Sequence, residues 1–219
     1  MRTRKSKVKQ KGGNLIASGG YGCVFELDDP TLVGKINFVE PMWMEHEGMT
    51  FERFMGLQSA IRTIDPNERY FITIRDAINV SVTDEKVQEC YTDWARKATE
   101  RSIENYKDKK LSTLNYYTMT RVQPTNVAAW SELQWQHALT GMNLLHDYNI
   151  CHNDIHAGNF GLKDGNPVYI DMDGASYAAS PSLVDQEGVK RFALYNTIQP
   201  DILNFEKMFK KYWKSSKNK

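Results

Sequence analysis

Two short polar segments organise the chain. The first reads Cys151-His152-Asn153-Asp154-Ile155-His156-Ala157-Gly158-Asn159, and the second reads Tyr169-Ile170-Asp171-Met172-Asp173-Gly174. A turn at Lys163-Asp164-Gly165-Asn166-Pro167 separates them and predicts a short hairpin. That hairpin would bring Asp154, Asn159 and Asp171 together. Carboxylate and amide oxygens suit a hard cation such as Mg²⁺, which in proteins usually arrives with phosphates.

The two segments resemble the protein kinase superfamily. His152-Asn153-Asp154 stands where the family has H-R-D, Asn159 follows Asp154 by five residues, and Asp171-Met172-Asp173 stands where the family has D-F-G. The resemblance implies that Asp154 accepts the proton of the substrate hydroxyl and that Asn159 and Asp171 hold metal ions on ATP. The alternative is a polar turn followed by a plain β-hairpin. The ordered set with matching spacing favours the kinase interpretation.

An N-terminal glycine-rich hairpin and a lysine strand extend the resemblance. The sequence from Leu15 to Phe25 predicts two strands joined by a glycine-rich turn. Within it, Gly19, Gly22 and Val24 match the glycine-rich pattern of the family, and Ala17 replaces the first glycine of that pattern. Lys35, in the strand Leu32-Val33-Gly34-Lys35-Ile36, matches the phosphate-binding lysine. The resemblance implies nucleotide contacts from Ile16, Ala17, Gly19, Gly20, Tyr21, Gly22, Val24, Val33, Lys35, Glu52, Met119, Arg121 and Val122.

The apolar spacing from Met42 to Ile64 predicts a helix. In the resemblance, a glutamate of this helix pairs with Lys35. We choose Glu52, because Met55 and Ser59 follow it on a side that we expect to face the core. Glu47 and then Glu45 are the alternatives.

Further strands are predicted at Tyr70–Ile74 and Leu114–Met119, and helices at 130–148, 184–195 and 202–213. The fold class is therefore α+β, with an antiparallel sheet and one helix in a small lobe and a reduced, mainly helical large lobe. The expected domains are a basic flexible arm at 1–13, a small lobe at 14–122 with a helical insertion at 83–110, a large lobe at 123–206, and a basic helix end and tail at 207–219.

The 219 residues carry a net charge of +1 that hides a segregation. Residues 1–11 and 207–219 hold twelve of the 28 basic side chains and no acid, which leaves 16 basic against 27 acidic residues in the body. Basic ends attract nucleic acid, anionic lipid or acidic protein, but we favour solvated ends without a partner. No apolar run is long enough to span a membrane, and the basic start is unlike a signal peptide.

The three cysteines, Cys23, Cys90 and Cys151, are odd in number and widely spaced. This pattern argues against a disulfide framework or a zinc site. It favours a reducing, intracellular location, either cytoplasmic or, for a viral protein, the host-cell cytoplasm or the virion.

Three residues depart from the family pattern. His156 stands where Ser/Thr protein kinases have a lysine, so Asp154-Ile155-His156-Ala157-Gly158-Asn159 is similar to the loop of aminoglycoside and choline kinases. Asp173 replaces the glycine of D-F-G. Gly161 stands where a large apolar residue floors the adenine site, which predicts a looser base site.

The leading interpretation is an ATP- and Mg²⁺-dependent Ser/Thr protein kinase, similar to the reduced kinases encoded by large DNA viruses. Its catalytic residues would be Asp154, Lys35, Asn159 and His156, and its substrate an extended basic protein segment. Two alternatives stay open: a small-molecule phosphotransferase and a nucleotide-binding pseudokinase that acts as a scaffold.

Overall fold

The computed structural model describes residues 13–18, 22–37, 51–81, 85–96, 113–178 and 198–217. Within these residues helices and antiparallel strands combine, so the predicted α+β class is confirmed. The chain divides into two compact units, Met1–Glu40 with Arg75–Arg121 and Pro41–Ile74 with Val122–Lys219. None of the helices in the described part of the chain is long and apolar enough to cross a membrane.

The first unit contains an antiparallel sheet with strand order β1-β2-β3-β5-β4. Its strands are β1 Leu15–Ser18, β2 Gly22–Glu26, β3 Leu32–Asn37, β4 Asp76–Ser81 and β5 Thr113–Thr120. Side chains alternate between faces along a strand. In β2, Cys23 and Phe25 are therefore buried while Val24 between them is half-buried.

Helix α2, Glu85–Ala95, packs against β1 and β2 and lies in the predicted insertion at 83–110. Its residues Cys90 and Trp94 are fully buried. Because a tryptophan supplies much of the apolar area in a contact, this helix is integrated into the unit rather than lightly attached. The remainder of the insertion beyond residue 96 lies outside the described residues.

A disulfide joins Cys23 of β2 to Cys90 of α2, across 67 residues of sequence. The expectation of unpaired cysteines is therefore wrong. The packing of α2 on the sheet brings the two Cα atoms to 5.9 Å, within the range that a disulfide spans. Cysteine count and spacing do not contain this information, since the contact is set by tertiary packing. Cys151 remains a buried free thiol.

In the described residues of the second unit the α-helices are α1 Phe51–Ile64, α3 Glu132–Asp147 and α4 Ile198–Lys217. A capping box starts α3: Ser131 Oγ accepts from the backbone of Gln134, and the Gln134 side chain accepts from the backbone of Ser131. The core includes Leu57, Ile61, Phe71, Val127, Trp130, Trp135, Met142, Leu145, Phe160, Tyr169, Phe205 and Met208.

Short strands connect these helices. β8 Phe160–Lys163 and β9 Asn166–Tyr169 form a hairpin, and β6 Gln123–Pro124 pairs with β8. At the hairpin turn Asp164 and Gly165 have φ of 52° and 79°, the left-handed values that a tight two-residue turn requires. The predicted hairpin is thus confirmed. β7 Ile150–Cys151 pairs with β10 Ser176–Tyr177.

The strand predicted at Tyr70–Ile74 is wrong, since the segment makes only an isolated bridge, between Phe71 and Tyr169. The carboxylate of Asp65 accepts hydrogen bonds from the backbone N–H groups of Arg69, Tyr70 and Phe71 at 2.6 to 3.0 Å. Those donors are therefore not available to a strand ladder. The strand of this region is β4, which begins at Asp76.

Other boundaries differ from the predictions in specific ways. Residues 41–74, expected in the small lobe, group with the second unit, because Leu57 and Ile61 of α1 join the core of that unit. The last predicted helix is longer, so the basic residues from 207 to 217 lie within α4. The N-terminal arm to residue 12 and the helix predicted at 184–195 lie outside the described residues.

Candidate functional site

Asp154 and Asn159 lie on one loop and contact each other. The loop follows β7 and ends in a 3-10 turn, Ala157–Asn159, which leads into β8. The Asn159 side-chain amide donates to the Asp154 backbone carbonyl at 2.8 Å and to Asp154 Oδ2 at 2.9 Å. Asn159 is buried, whereas the Asp154 side chain is 58% exposed. A buried amide thus holds an accessible carboxylate in one orientation.

A buried aspartate of α4 anchors this loop. Asp201 Oδ2 accepts from the backbone N–H of His152 at 2.7 Å, and Oδ1 accepts from that of Asn153 at 2.9 Å. The carboxylate is fully buried, and His146 Nε2 lies 3.3 Å from Oδ2. Since hydrogen bonds to a charged group are stronger than neutral ones, this contact fixes the loop to α4.

Asp201 was not among the predicted site residues, although its spacing from apolar residues of the same helix indicates that it is buried. Asp201 lies four residues before Phe205 and seven before Met208, and both of those side chains are buried. Residues at these offsets share a helix face. An acid in phase with the apolar side of a helix is expected to have a buried partner.

His152 is fully buried and connects the loop that carries Asp154 to the segment before Asp171. Its Nε2 lies 3.2 Å from the Ile170 carbonyl, and its Nδ1 accepts from the Asp154 backbone at 3.3 Å. The Ile170 N–H in turn donates to the Asn159 carbonyl at 3.0 Å. The segments that carry Asp154, Asn159 and Asp171 are therefore joined by hydrogen bonds.

Asn153, which stands at the arginine position of H-R-D, has φ of 68° and extends the same network. Asparagine tolerates the left-handed region better than most residues. Its Nδ2 donates to the Gly174 carbonyl at 2.8 Å and to Ser176 Oγ at 2.9 Å. Asn153 Oδ1 is buried without a hydrogen-bond partner in the described structure.

Asp171 also has left-handed backbone angles, φ 62° and ψ 46°, directly before the 3-10 turn Met172–Gly174. A buried side chain of α1 supports that turn: Gln58 Nε2 donates to the Met172 carbonyl at 2.7 Å, and Gln58 Oε1 accepts from the Ile74 N–H at 3.2 Å. Gln58 was not singled out in the sequence. The Asp173 side chain lies outside the described residues.

The reason for choosing Glu52 is wrong. Ser59 is exposed and Met55 only half-buried, whereas Phe54, Leu57, Gln58 and Ile61 form the buried side of α1. The Glu52 side chain, Glu47 and Glu45 lie outside the described residues, so the lysine partner stays a prediction.

His156 is oriented by its own loop. The Gly158 backbone N–H donates to His156 Nδ1 at 3.0 Å, and His156 Nε2 lies 3.4 Å from Asp154 Oδ2. Because Nδ1 accepts, the proton of the neutral ring belongs on Nε2, where it faces the carboxylate. A side chain at Gly158 would place Cβ 2.9 Å from His156 Cε1, so glycine permits this close approach.

In the first unit, strand pairing puts several predicted nucleotide-binding residues on one sheet face. Ala17 pairs with Val24, Val24 with Lys35, and Val33 with Met119. Paired residues share a face, and so do residues two apart in a strand. Ala17, Val24, Val33, Lys35 and Met119 therefore lie on the same side, opposite Cys23, Phe25 and Ile36.

The remaining predicted nucleotide contacts are distributed as follows. Ile16 is exposed in β1, and Gly22 is buried at the start of β2. Arg121 donates its backbone N–H to the Thr31 carbonyl at 2.8 Å, and its side chain lies 3.6 Å from Glu26. Gly19, Gly20 and Tyr21 lie outside the described residues.

Val122 fills the space that Gly161 leaves open. A Cβ at Gly161 would lie 2.9 Å from Val122 Cβ and closer still to Val122 Cγ2. Gly161 is therefore closely packed against Val122 and leaves no room for a larger side chain, while the looser base site stays a prediction. Among the described residues, no three His, Cys, Asp or Glu side chains are grouped so as to hold a metal ion.

Burial affects two groups beside Asp201. Burial, with a smaller contribution from the Asp201 charge, raises the pKa of the Cys151 thiol to about 12. The same two causes raise the pKa of Tyr169 well above its ordinary value, and its hydroxyl donates to the Ala138 carbonyl at 2.8 Å. Both groups therefore stay protonated at neutral pH, and we assign them to core packing rather than to acid–base chemistry.

No model of a known protein family matches the chain, and no curated protein matches its sequence.

Proposed function

We propose that the protein is a phosphotransferase that uses ATP and Mg²⁺ to phosphorylate serine or threonine hydroxyls of a protein, on a two-lobed kinase-like fold. The observation that carries the proposal is the contact of Asn159 with both the carbonyl and the carboxylate of Asp154. A polar turn without function has no need to fix an exposed carboxylate by a buried amide. Asp154 and Asn159, two of the residues predicted to act together, are in contact.

Asp154 is suited to accept a hydroxyl proton. Its carboxylate is accessible, and Asn159 together with the Asp201-anchored backbone limits its motion. Positioned acid–base groups typically contribute about 10²–10⁴-fold to rate, and their effect depends on orientation. His156, with its Nε2 facing Asp154, would hold the carboxylate from the other side.

The donor set fits a magnesium–nucleotide complex. Both amide N–H positions of Asn159 are directed at Asp154, so its Oδ1 is the atom left to act as a ligand. Together with the Asp171 carboxylate this makes two oxygen ligands. Mg²⁺ in nucleotide sites takes one or two carboxylates and completes its shell with phosphates and water. When bound, the ion would neutralise charge on the transferred phosphoryl group.

The first unit would contribute the nucleotide-binding surface. Lys35 and the apolar residues Ala17, Val24, Val33 and Met119 share a sheet face, which combines a cation for phosphates with an apolar surface for a base. In the second unit, Val122 over Gly161 supplies the apolar group that the family places at 161.

Charge favours a protein acceptor. The body is acidic once the two basic ends are set aside, so it would attract basic peptide segments and repel anionic metabolites. We therefore place an extended basic segment first, including the chain's own Thr3 or Ser6.

One observation favours a second candidate, a small-molecule phosphotransferase. His156 contacts Asp154 where protein kinases have a lysine, and the loop Asp154–Asn159 is similar to that of aminoglycoside and choline kinases. The pseudokinase scaffold is the third candidate and predicts nucleotide binding without transfer.

The test is incubation of the protein with γ-labelled ATP and Mg²⁺, alone, with a histone-like protein mixture, and with a panel of small alcohols. We expect label on protein serine or threonine, located by mass spectrometry. Asp154→Asn should remove it, while Asp164→Asn, an exposed turn residue with a compatible left-handed backbone, should not. Label only on a small alcohol would overturn the protein-kinase proposal, and ATP binding without any transfer would support the scaffold.

A further inference from the structure

The Cys23–Cys90 disulfide and a neighbouring hydrogen bond fasten both strands of the N-terminal hairpin to α2. Ser18, the last residue of β1, pairs with Cys23 of β2. Cys23 is bonded to Cys90, and Ser18 Oγ donates to Asp93 Oδ2. Since Cys90 and Asp93 are three residues apart, they lie on the same side of α2. We call these two contacts the α2 anchor.

The α2 anchor lies next to the predicted nucleotide-binding face. Ala17 and Val24 form the adjacent strand pair, and their side chains are on the opposite side of the sheet from Ser18 and Cys23. A shift of the Ser18–Cys23 pair would therefore move Ala17 and Val24 as well. The anchor residues do not lie on the predicted nucleotide-binding face itself. They would therefore act by setting the position of Ala17 and Val24.

We propose that α2 is a redox-sensitive positioning element, in which Cys90 and Asp93 hold the β1–β2 hairpin in the arrangement that binds nucleotide. The nucleotide part of this inference rests on the proposed function. It gives α2, the described part of the insertion at 83–110, a role that the sequence alone did not supply. Pre-organised contacts increase affinity because less freedom is lost on binding.

The redox step is a thiol–disulfide exchange with a dithiol. A dithiol thiolate attacks one sulfur of the Cys23–Cys90 bond, that bond breaks, and a mixed disulfide forms. The second thiol of the reagent then displaces the protein sulfur. Two electrons and two protons pass from the dithiol to give two protein thiols and a cyclic disulfide. Both cysteines are buried, so the hairpin must open before the reagent can reach them.

Thiol counting tests the covalent part without reference to function. In denaturant without reductant, alkylation should label one cysteine per chain, Cys151, and after dithiothreitol it should label three. Three labelled cysteines before reduction, in protein purified without reductant and under air, would overturn the anchor.

Hydrogen exchange tests the positioning part, also without nucleotide. Reduction should speed amide exchange in peptides that cover β1 and β2, while peptides from α3 should not change. Equal exchange in β1 and β2 before and after reduction would overturn the positioning role, whether or not the protein binds ATP.

Nucleotide binding tests the functional part. We expect reduction to raise the Kd and KM for Mg-ATP by about threefold or more, with kcat changed less, because Asp154 belongs to the other unit. Measurements well below the unfolding temperature exclude an effect of stability alone. If the anchor is present and exchange responds while ATP affinity stays equal, the link to nucleotide is wrong; if no ATP binds in either state, the proposed function is wrong.

Single variants supply the control. Cys90→Ala should match the reduced protein without reductant and should no longer respond to dithiothreitol, although Cys151 is still present. Cys23→Ala should behave alike, which keeps the test valid if one variant folds poorly. Asp93→Ala keeps the disulfide, so it should raise Kd less than reduction does. A Cys90→Ala variant whose ATP affinity still responds to reductant would overturn the proposal.

Discussion

Gly161→Ala should destabilise the second unit, although alanine is the smallest available side chain. The added Cβ would lie 2.9 Å from Val122 Cβ, 3.3 Å from the Gln123 carbonyl and closer still to Val122 Cγ2. Val122 is β-branched and precedes a residue paired with β8, so it cannot simply turn away. Overpacking of this kind typically costs about 1–3 kcal/mol. Gly161→Leu, which introduces a much larger side chain at the same place, should cost more.

The same geometry predicts a rescue. Val122→Ala removes the Cγ2 contact and at this half-buried position should alone cost about 1 kcal/mol. In the double variant the clash is largely gone, so the loss in free energy of unfolding should be smaller than the sum of the two single losses by about 1–2 kcal/mol. Gly56→Ala is the matched control: nothing lies within 4 Å of its added Cβ, and it sits inside α1. It should be neutral or stabilising by up to about 1 kcal/mol.

Urea unfolding measures these differences, with tryptophan fluorescence as the signal. Trp130 contacts Phe160, the residue before Gly161, with ring centroids 5.0 Å apart. A Gly161→Ala variant whose free energy of unfolding lies within about 0.5 kcal/mol of the parent value would refute the packing argument, because surface substitutions usually fall in that range. Additive losses in the double variant would show that Val122 is not the residue displaced.

Three further outcomes are expected. Asp154→Asn should lower kcat by about 10²-fold or more in the phosphotransfer assay, while the affinity for Mg-ATP in a binding titration changes little. A variant that keeps a tenth of the activity would contradict the role of Asp154 as proton acceptor. Asp201→Asn places an amide N–H₂ against the backbone donors of His152 or Asn153 and should lower the free energy of unfolding by about 1–3 kcal/mol in urea, whereas the exposed Glu206→Gln should change it by less than about 0.5. Burial raises the pKa of Cys151 from 9.0 to about 12, so the unfolded chain loses this proton first as pH rises. The free energy of unfolding should therefore fall by about 1.4 kcal/mol per pH unit between pH 9 and about 12. Cys151→Ala should remove this contribution from the pH dependence measured in urea, and an equal slope in the variant would contradict it.

Local patterns in the sequence determined much of the fold and the chemistry of the loop. Apolar periodicity located α1, α3 and α4, because a helix that packs on a core repeats its apolar residues every three to four positions. The turn residues Asp164 and Gly165 predicted the β8–β9 hairpin, because few residues adopt φ above zero. The loop and hairpin predicted that Asp154 and Asn159 lie close together, and these two side chains are in contact.

Tertiary packing alone decided the contacts between distant parts of the chain. Asp201 reaches the loop at His152 across 49 residues, and Cys23 reaches Cys90 across 67. Val122 packs against Gly161, and Asp65 accepts hydrogen bonds from the segment that was predicted as a strand. Each of these depends on which surfaces pack together, and that choice is made by burial summed over a whole unit. Spacing along the chain can indicate that a residue such as Asp201 is buried, but it does not identify the partner.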